Sequence, residues 1–231
     1  MKIAERSYCL TNSLERHGVD VICVAQDYAE GITFDSSNHW KPTDGLNCAR
    51  IILHKMHNDY NFGLDDHVLD DENFYDLISK YPEIQSYIED RFGYCFSVPS
   101  PINGPCIELT YAEGEPIIGS YESVIFNPIE SWNMVGGAYH NVYTISNSLI
   151  NSIHNDEASC NKKVLIIGDS FNWPVGSYLS LACEDVTIIH NASFTGSLIS
   201  YIKKMNPDIV IMVYNDAELY ELFTEDAYFL K

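Results

Sequence analysis

Apolar residues recur along this chain with helical spacing in some segments and as short unbroken runs in others. After residue 163 the two patterns alternate. The runs that predict buried strands are Val164–Gly168, Val186–His190 and Asp208–Tyr214. Helices are predicted between them, near residues 174–182 and 197–205. Strands that alternate with helices predict an α/β fold with a mostly parallel sheet covered on both faces.

The first 60 residues repeat this alternation. A helix is predicted over Ala4–His17, and a buried strand over Val19–Val24. Pro42 then opens a second helix, because proline is favoured in the first helical turn. The apolar positions of this helix are Leu46, Ala49, Ile52, Leu53 and Met56.

The middle of the chain has a different character. Residues 61–104 are acidic and broken by proline, which predicts an inserted helical cap followed by a loop. Residues 106–126 predict a β-hairpin, and residues 141–154 predict a helix. We expect one domain over residues 1–231, with core halves at 1–60 and 160–231 and an insertion and connecting region at 61–159.

The charge balance restricts the partners. With 13 Lys and Arg against 33 Asp and Glu, the formal charge is −20, which disfavours nucleic acid and anionic membranes as partners. The seven cysteines form no CxxC motif, so the sequence predicts reduced, mostly buried thiols and no zinc ribbon. No cofactor is indicated. His54 and His57 are three residues apart on a predicted helix, but third and fourth ligands are not evident, so we predict no metal site.

The sequence contains no basic-then-apolar leader and no apolar run long enough to span a bilayer. The chain as given is therefore expected to be soluble. Its location would be cytoplasmic if nothing precedes it, and extracytoplasmic if a leader or anchor has been removed.

Polar residues gather where the predicted parallel strands end, which is where ligands collect in open α/β sheets. These segments read GDS at 168–170, NASFTG at 191–196 and YND at 214–216. Ser170 is either the cap of the next helix or a nucleophile. If it is a nucleophile, its own N–H, the N–H of Gly196 and the side-chain amide of Asn215 could stabilise an oxyanion.

These three segments, in this order, resemble the first three blocks of the SGNH hydrolase family. The resemblance implies a flavodoxin-like three-layer sandwich, with Ser170 as nucleophile and with Gly196 and Asn215 in the oxyanion hole. Val213 stands where the family usually has a glycine two places before the asparagine.

The Asp-x-x-His that normally ends this family's sequences is absent, since no histidine follows Asp216. Upstream, however, the segment FDSSNHWKP resembles the loop of the circularly permuted branch, the DHHW proteins, which includes relatives of alginate O-acetyltransferase. The resemblance implies that His39 is the base and that Trp40 contacts substrate. The family's Asp two residues before the histidine is Ser37 here, so Asp35 is the nearest substitute.

The leading interpretation is a serine esterase or O-acyltransferase that acts on acetylated carbohydrate, or on a small ester, through an acyl-enzyme. The alternative is a carbohydrate-binding or assembly protein that keeps the fold but has little or no activity, and the missing Asp is its main support. Only four core strands are predicted where the family normally has five. We therefore expect either an amino-terminally shortened fold or an open sheet edge that pairs with another chain, as in a homo-oligomer.

Overall fold

The described strands form a six-stranded sheet and a two-stranded sheet. The computed structural model describes residues 16, 41–60, 62–92, 96–112, 114–128, 131, 142–190, 194 and 196–214. The strands are β1 (Phe74–Asp76), β2 (Pro99–Pro101), β3 (Cys106–Tyr111), β4 (Ile117–Ser120), β5 (Ile150–His154), β6 (Cys160–Gly168), β7 (Cys183–His190) and β8 (Ile209–Val213). The α-helices are α1 (Pro42–Tyr60), α2 (Pro82–Phe92), α3 (Tyr121–Ile125), α4 (Asn172–Leu179) and α5 (Leu198–Met205). Short 3₁₀ turns lie at Asp66–Leu69, Asp71–Asn73, Leu77–Lys80 and Thr144–Asn147.

The larger sheet has the order β4-β3-β5-β7-β6-β8. Strand β6 lies parallel to both β7 and β8, so the parallel arrangement predicted for the last three strands is confirmed. The other three pairings are antiparallel. The protein is therefore a mixed α/β protein, and the predicted mostly parallel sheet is corrected to a mixed one.

The antiparallel part of the sheet comes from the middle of the chain. The predicted hairpin is confirmed as β3 and β4, and it continues through β5 into the same sheet as β6–β8. Residues 61–104 contain the predicted helix, α2, together with the 3₁₀ turns and the small β1–β2 sheet.

The helix predicted over residues 141–154 is wrong in its second half. Residues 150–154 form strand β5, in which Asn151 and Ile153 are buried while Ile150, Ser152 and His154 are partly exposed. This alternation with a period of two is the pattern of a strand with one buried face. Only one turn of 3₁₀ helix, Thr144–Asn147, precedes it.

Both faces of the parallel strands are covered. On one face, Val164 and Ile166 of β6 belong to the core that includes α1 and α4. On the other face, Leu165 and Ile167 pack with Leu198 of α5. All five apolar positions predicted for α1 are buried, which confirms that helix and its inward face.

Two predicted elements fall outside the described residues. One is the strand over Val19–Val24, and the other is the helix over Ala4–His17, of which only residue 16 is described. Within the described sheet β4 and β8 are the outer strands, and the predicted pairing of an open edge stays a prediction. Among the residues that the structure describes, no helix combines the length and the apolar character needed to cross a membrane.

Candidate active site at the carboxyl edge of the sheet

Ser170 lies in the three-residue turn, residues 169–171, that joins the end of β6 to the start of α4. Strand β6 ends at Gly168, which pairs in register with His190 of β7 and Val213 of β8. The turn is thus flanked by both neighbouring strands at the carboxyl edge of the parallel region. Ser170 is partly buried, so its side chain is neither locked in the core nor fully solvated.

Ser170 is not the cap of α4. The capping position is Phe171, which has helical backbone angles and makes no side-chain cap. Instead the carboxylate of Asp169, which is 2% exposed, accepts a hydrogen bond from the Phe171 N–H at 2.9 Å. Within the described part of the chain, the Ser170 hydroxyl makes no hydrogen bond.

The end of β6 requires a residue without a side chain. A Cβ atom on Gly168 would lie 1.8 Å from the carbonyl oxygen of Val213. The close approach fixes the Ser170 turn against the end of β8. Asn215 comes two residues after Val213, just as Ser170 comes two residues after Gly168, but it lies outside the described residues.

Gly196 lies on the same edge, in the connection between β7 and α5, and is exposed. The next residue, Ser197, caps α5 by accepting a hydrogen bond from the Ser200 N–H at 3.3 Å. The nearest described atoms to a Cβ on Gly196 would be those of the Phe194 ring, at 3.2 Å.

The predicted base and its neighbours, His39, Trp40 and Asp35, lie outside the described residues. The described chain resumes at residue 41, and α1 begins at Pro42. A Cβ on Gly45, in the first turn of α1, would lie 2.4 Å from the Cβ of Pro174, in the first turn of α4. The first turns of the two helices are therefore in contact, and α4 begins two residues after Ser170.

One residue of this edge was missed by the sequence reasoning. His190 ends β7 in register with Gly168, and its ring stacks on Trp173 of α4, with ring centroids 5.1 Å apart and an angle of 24° between the planes. The sequence could have indicated His190, because it is the last residue of the predicted strand Val186–His190, at the edge where ligands collect. The stack places an imidazole beside the Ser170 turn.

Helix α4 is held rigidly behind the turn. The side chain of Asn172 donates a hydrogen bond to the Ile189 carbonyl at 2.8 Å, which ties the first turn of α4 to β7. Further along, the hydroxyl of Tyr178 donates to the Pro99 carbonyl at 2.9 Å, and that of Tyr121 donates to the Ser177 carbonyl at 2.9 Å.

Burial raises the pKa of both Tyr121 and Tyr178 well above the usual phenol value. The two phenols thus remain protonated donors, and these anchors persist across the physiological pH range.

A second group of ionisable residues lies at the opposite end of the sheet. His154 contacts Asp185 through Nδ1 at 2.8 Å and Asp156 through Nε2 at 2.9 Å, and Glu184 is close by. The hydrogen bond to Asp185 raises the pKa of His154 above its usual value of 6.5. Because Asp185 lies near the amino end of β7, this group is remote from the Ser170 turn.

Comparisons with known proteins give structural neighbours and no sequence relatives. No family model matches the chain, and no curated protein matches it by sequence. A structure of Bacillus cereus PatB1 superposes with a TM-score of 0.59 at 15% identity, over 86% of this chain and 66% of that one. PatB1 with a sulfonyl adduct gives 0.55 at 14% identity, over 79% and 60%. A DHHW family protein from Eubacterium siraeum gives 0.55 at 12% identity, over 82% and 60%.

The superposed region covers 79% to 86% of this chain but only 60% to 66% of each neighbour's chain. At such low identity a structural match reports the fold and nothing finer. The chain has the same fold as PatB1 and as a protein of the DHHW family over most of its length.

Proposed function

We propose that this protein is a serine-dependent acyl-transfer enzyme, an esterase or O-acyltransferase whose substrate is an acetylated carbohydrate. The observation that carries the proposal is the state of Ser170. It lies at the carboxyl edge of the parallel strands, partly exposed, with a hydroxyl that takes no part in capping α4. The neighbouring carboxylate of Asp169 accepts a hydrogen bond from the N–H of Phe171, the residue at the capping position of α4.

The proposed reaction begins when Ser170 Oγ attacks the acyl carbonyl carbon as its proton passes to His39. The carbonyl oxygen becomes an oxyanion, which the backbone N–H groups of Ser170 and Gly196 and the amide of Asn215 stabilise. The tetrahedral intermediate then breaks the bond between the acyl carbon and the alcohol oxygen, and His39 returns the proton to the departing alcohol. An acyl-enzyme remains on Ser170.

Water or a sugar hydroxyl completes the cycle. His39 removes a proton from the incoming hydroxyl, whose oxygen bonds to the acyl carbon, and Ser170 leaves and recovers its proton. Attack by water gives hydrolysis, and attack by a sugar hydroxyl gives transfer. The amino terminus of α4 lies close to Ser170, and the positive end of its dipole favours the negative charge that develops on the oxyanion.

Two further observations support this assignment. The first turns of α1 and α4 are in contact at Gly45 and Pro174, so the start of α1 lies near the Ser170 turn, and His39 is three residues before α1 in the sequence. In addition, the fold is shared with PatB1, which has been solved with a sulfonyl adduct.

A second candidate function rests on Ser37, which stands where the permuted family has the aspartate that orients the base. Without that carboxylate a histidine base is much weaker, and loss of the triad carboxylate in serine proteases lowers turnover about 10⁴-fold. The second candidate is therefore a carbohydrate-binding or assembly protein of the same fold with little or no turnover.

Ester turnover separates the two functions. We expect wild-type protein to hydrolyse 4-nitrophenyl acetate, and Ser170→Ala to lower kcat by about 10⁴-fold or more, because the nucleophile acts as a unit with its base. The matched control is Ser177→Ala, which removes a buried hydroxyl of α4 that makes no hydrogen bond in the described part of the chain. Equal activity in wild type and Ser170→Ala, with both proteins folded, would favour the binding protein.

A further inference from the structure

A pocket of about 320 Å³ opens beside α1. Its walls come from α1, from the segment that contains β1, and from the start of β2. The residues that matter for its chemistry are Asn47, Arg50, Asp71, Phe74, Asp76 and Ser97. We propose that this pocket binds an uncharged, polyhydroxylated ring, which is a carbohydrate unit.

On α1, Asn47 and Arg50 face the pocket from a side of the helix other than the one that touches α4 at Gly45. Gly45 marks the flank that touches α4. Asn47 and Arg50 follow it by two and five residues, which rotates them by about 200° and 140° around a helix of 3.6 residues per turn. Pro99 in the lining accepts a hydrogen bond from Tyr178 of α4 through its carbonyl, so the pocket also adjoins the later part of α4.

The polar groups of the pocket are fixed before any ligand arrives. The guanidinium of Arg50 donates to the Leu69 carbonyl through Nε, to Asn47 Oδ1 at 2.9 Å and to Asp71 Oδ1 at 2.6 Å. On the facing wall, Asp76 Oδ1 accepts hydrogen bonds from two backbone N–H groups, those of Ile78 at 3.2 Å and Val98 at 3.0 Å. The other carboxylate oxygen of Asp76 can still accept bonds from a ligand.

An apolar wall completes the pocket. The ring of Phe74 packs edge-on against the ring of Tyr178, with centroids 6.0 Å apart. Strand β1 is held against β2, where Asp76 pairs with Pro99. Since the Tyr178 hydroxyl also bonds to the Pro99 carbonyl, this wall is anchored to α4. A sugar ring presents apolar C–H faces between its hydroxyl groups, and aromatic rings pack well against such faces.

The charge of the pocket decides the class of ligand. The one arginine of its lining lies against Asp71, and Asp76 adds a further negative charge. A phosphate or sulfate group would meet these carboxylates in a protein of net charge −20, which makes an anionic ligand unfavourable. Hydroxyl groups both donate and accept hydrogen bonds, and they match a wall of amide, guanidinium and carboxylate groups. An uncharged sugar therefore fits best.

The role of this pocket in catalysis rests on the proposed function, whereas its binding of sugar does not. With a carbohydrate unit held on one flank of α1, the acylated unit of the same oligosaccharide would reach Ser170 around the start of the helix. The pocket would then lower KM for oligosaccharide esters and leave small esters unaffected, because a small ester is too short to occupy both places.

Binding is tested by isothermal titration with four β-1,4-linked trisaccharides, those of N-acetylglucosamine, glucose, xylose and mannose. We expect at least one to bind the wild type. Ser97→Tyr, which fills the pocket, should raise its Kd about 10-fold or more, and so should Asn47→Ala, which removes a polar group. The control is Ser200→Tyr, which places the same side chain on the exposed face of α5. Binding by none of the four sugars at millimolar concentration would overturn the proposal, as would unchanged binding in both folded pocket variants.

Kinetics then test the link to Ser170. For the acetylated form of the trisaccharide that binds, Ser97→Tyr should raise KM about 10-fold with kcat nearly unchanged, while turnover of 4-nitrophenyl acetate stays within about twofold of wild type. If wild type turns over neither ester, the proposed function fails but the binding result stands. If it turns over both and Ser97→Tyr changes neither, the catalytic role of the pocket is wrong.

Discussion

At the scale of single residues, the proposed mechanism depends most on the group that orients His39. A histidine base needs a carboxylate on its other ring nitrogen to fix the tautomer and to stabilise the imidazolium. Ser37 offers no charge, and Asp35 is the nearest carboxylate along the chain. Both residues lie outside the described part, so their arrangement remains a prediction that mutation can test.

We predict that Asp35→Ala lowers ester turnover by about 10³- to 10⁴-fold, and that Ser37→Asp adds little because the role is already filled. The measurement is kcat for 4-nitrophenyl acetate, with Asp90→Ala on the exposed face of α2 as the control for loss of one acidic charge. A silent Asp35→Ala together with a tenfold gain in Ser37→Asp would instead show that His39 lacks a carboxylate partner.

Single residues also show how far a sequence can be interpreted. The position of Ser170 after a buried strand was predictable, because the apolar run and the following Gly-Asp-Ser are both local signals. Whether its hydroxyl caps α4 was not predictable. The answer depends on the backbone angles of Phe171 and on the hydrogen bond that the Asp169 carboxylate accepts from its N–H. Only the folded turn defines these features.

At the scale of elements, the contact between α1 and α4 positions the candidate site. Gly45→Val would force a side chain into Pro174, where a Cβ is already only 2.4 Å away. We expect the free energy of unfolding to fall by about 1–3 kcal/mol, the usual cost of overpacking, and ester turnover to fall with it because the start of α1 is displaced.

The measurement is urea unfolding followed by turnover of 4-nitrophenyl acetate. The matched control is Asn58→Val. It introduces the same β-branched side chain at an exposed position in the last turn of α1, away from Pro174. Equal stability and equal turnover in the two variants would show that the α1–α4 contact does not hold the site.

A second prediction at this scale concerns pH and the pairing of β5 with β7. The hydrogen bond to Asp185 raises the pKa of His154 in the folded protein, so the protonated imidazole stabilises the fold. This contribution is fully present below the unfolded-state value of about 6.5, and it is lost as the pH rises through the higher folded-state pKa. Since the side chain is 38% exposed, solvent weakens the contribution.

We therefore expect His154→Gln to lose more stability relative to wild type at pH 6 than at pH 9, as measured by urea unfolding at both values. His67→Gln is the control, because its raised pKa comes from a pair with Asp70 that is largely solvated. A loss for His154→Gln that is equal at the two pH values would mean that the imidazolium does not contribute to stability.

Element types were predictable where one pattern extended over many residues. The 19 residues of α1 repeat their apolar face several times, and the hairpin of β3 and β4 is bounded by a clear turn. Strand β5 is only five residues long, and its neighbours Thr144–Asn147 form a helical turn. At that length an alternating pattern and a helical pattern are hard to distinguish, which explains the wrong prediction.

At the scale of the whole molecule, the sequence predicted which segments form the parallel strands but not the composition of the sheet. The β6–β7–β8 unit follows from alternation along the chain. The pairing of β5 with β7 joins segments about 35 residues apart, and nothing local in either strand specifies the partner. The helical cap expected over 61–104 likewise gave no hint that this region forms one wall of a polar pocket.

Covalent labelling shows most directly whether Ser170 is a nucleophile. The protein is incubated with a fluorophosphonate, its intact mass is measured, and the modified peptide is sequenced by tandem mass spectrometry, with Ser170→Ala treated in parallel. We expect one adduct per chain, located on Ser170 and absent from the variant. Complete inertness of the folded wild type, or an adduct that persists in Ser170→Ala, would contradict it.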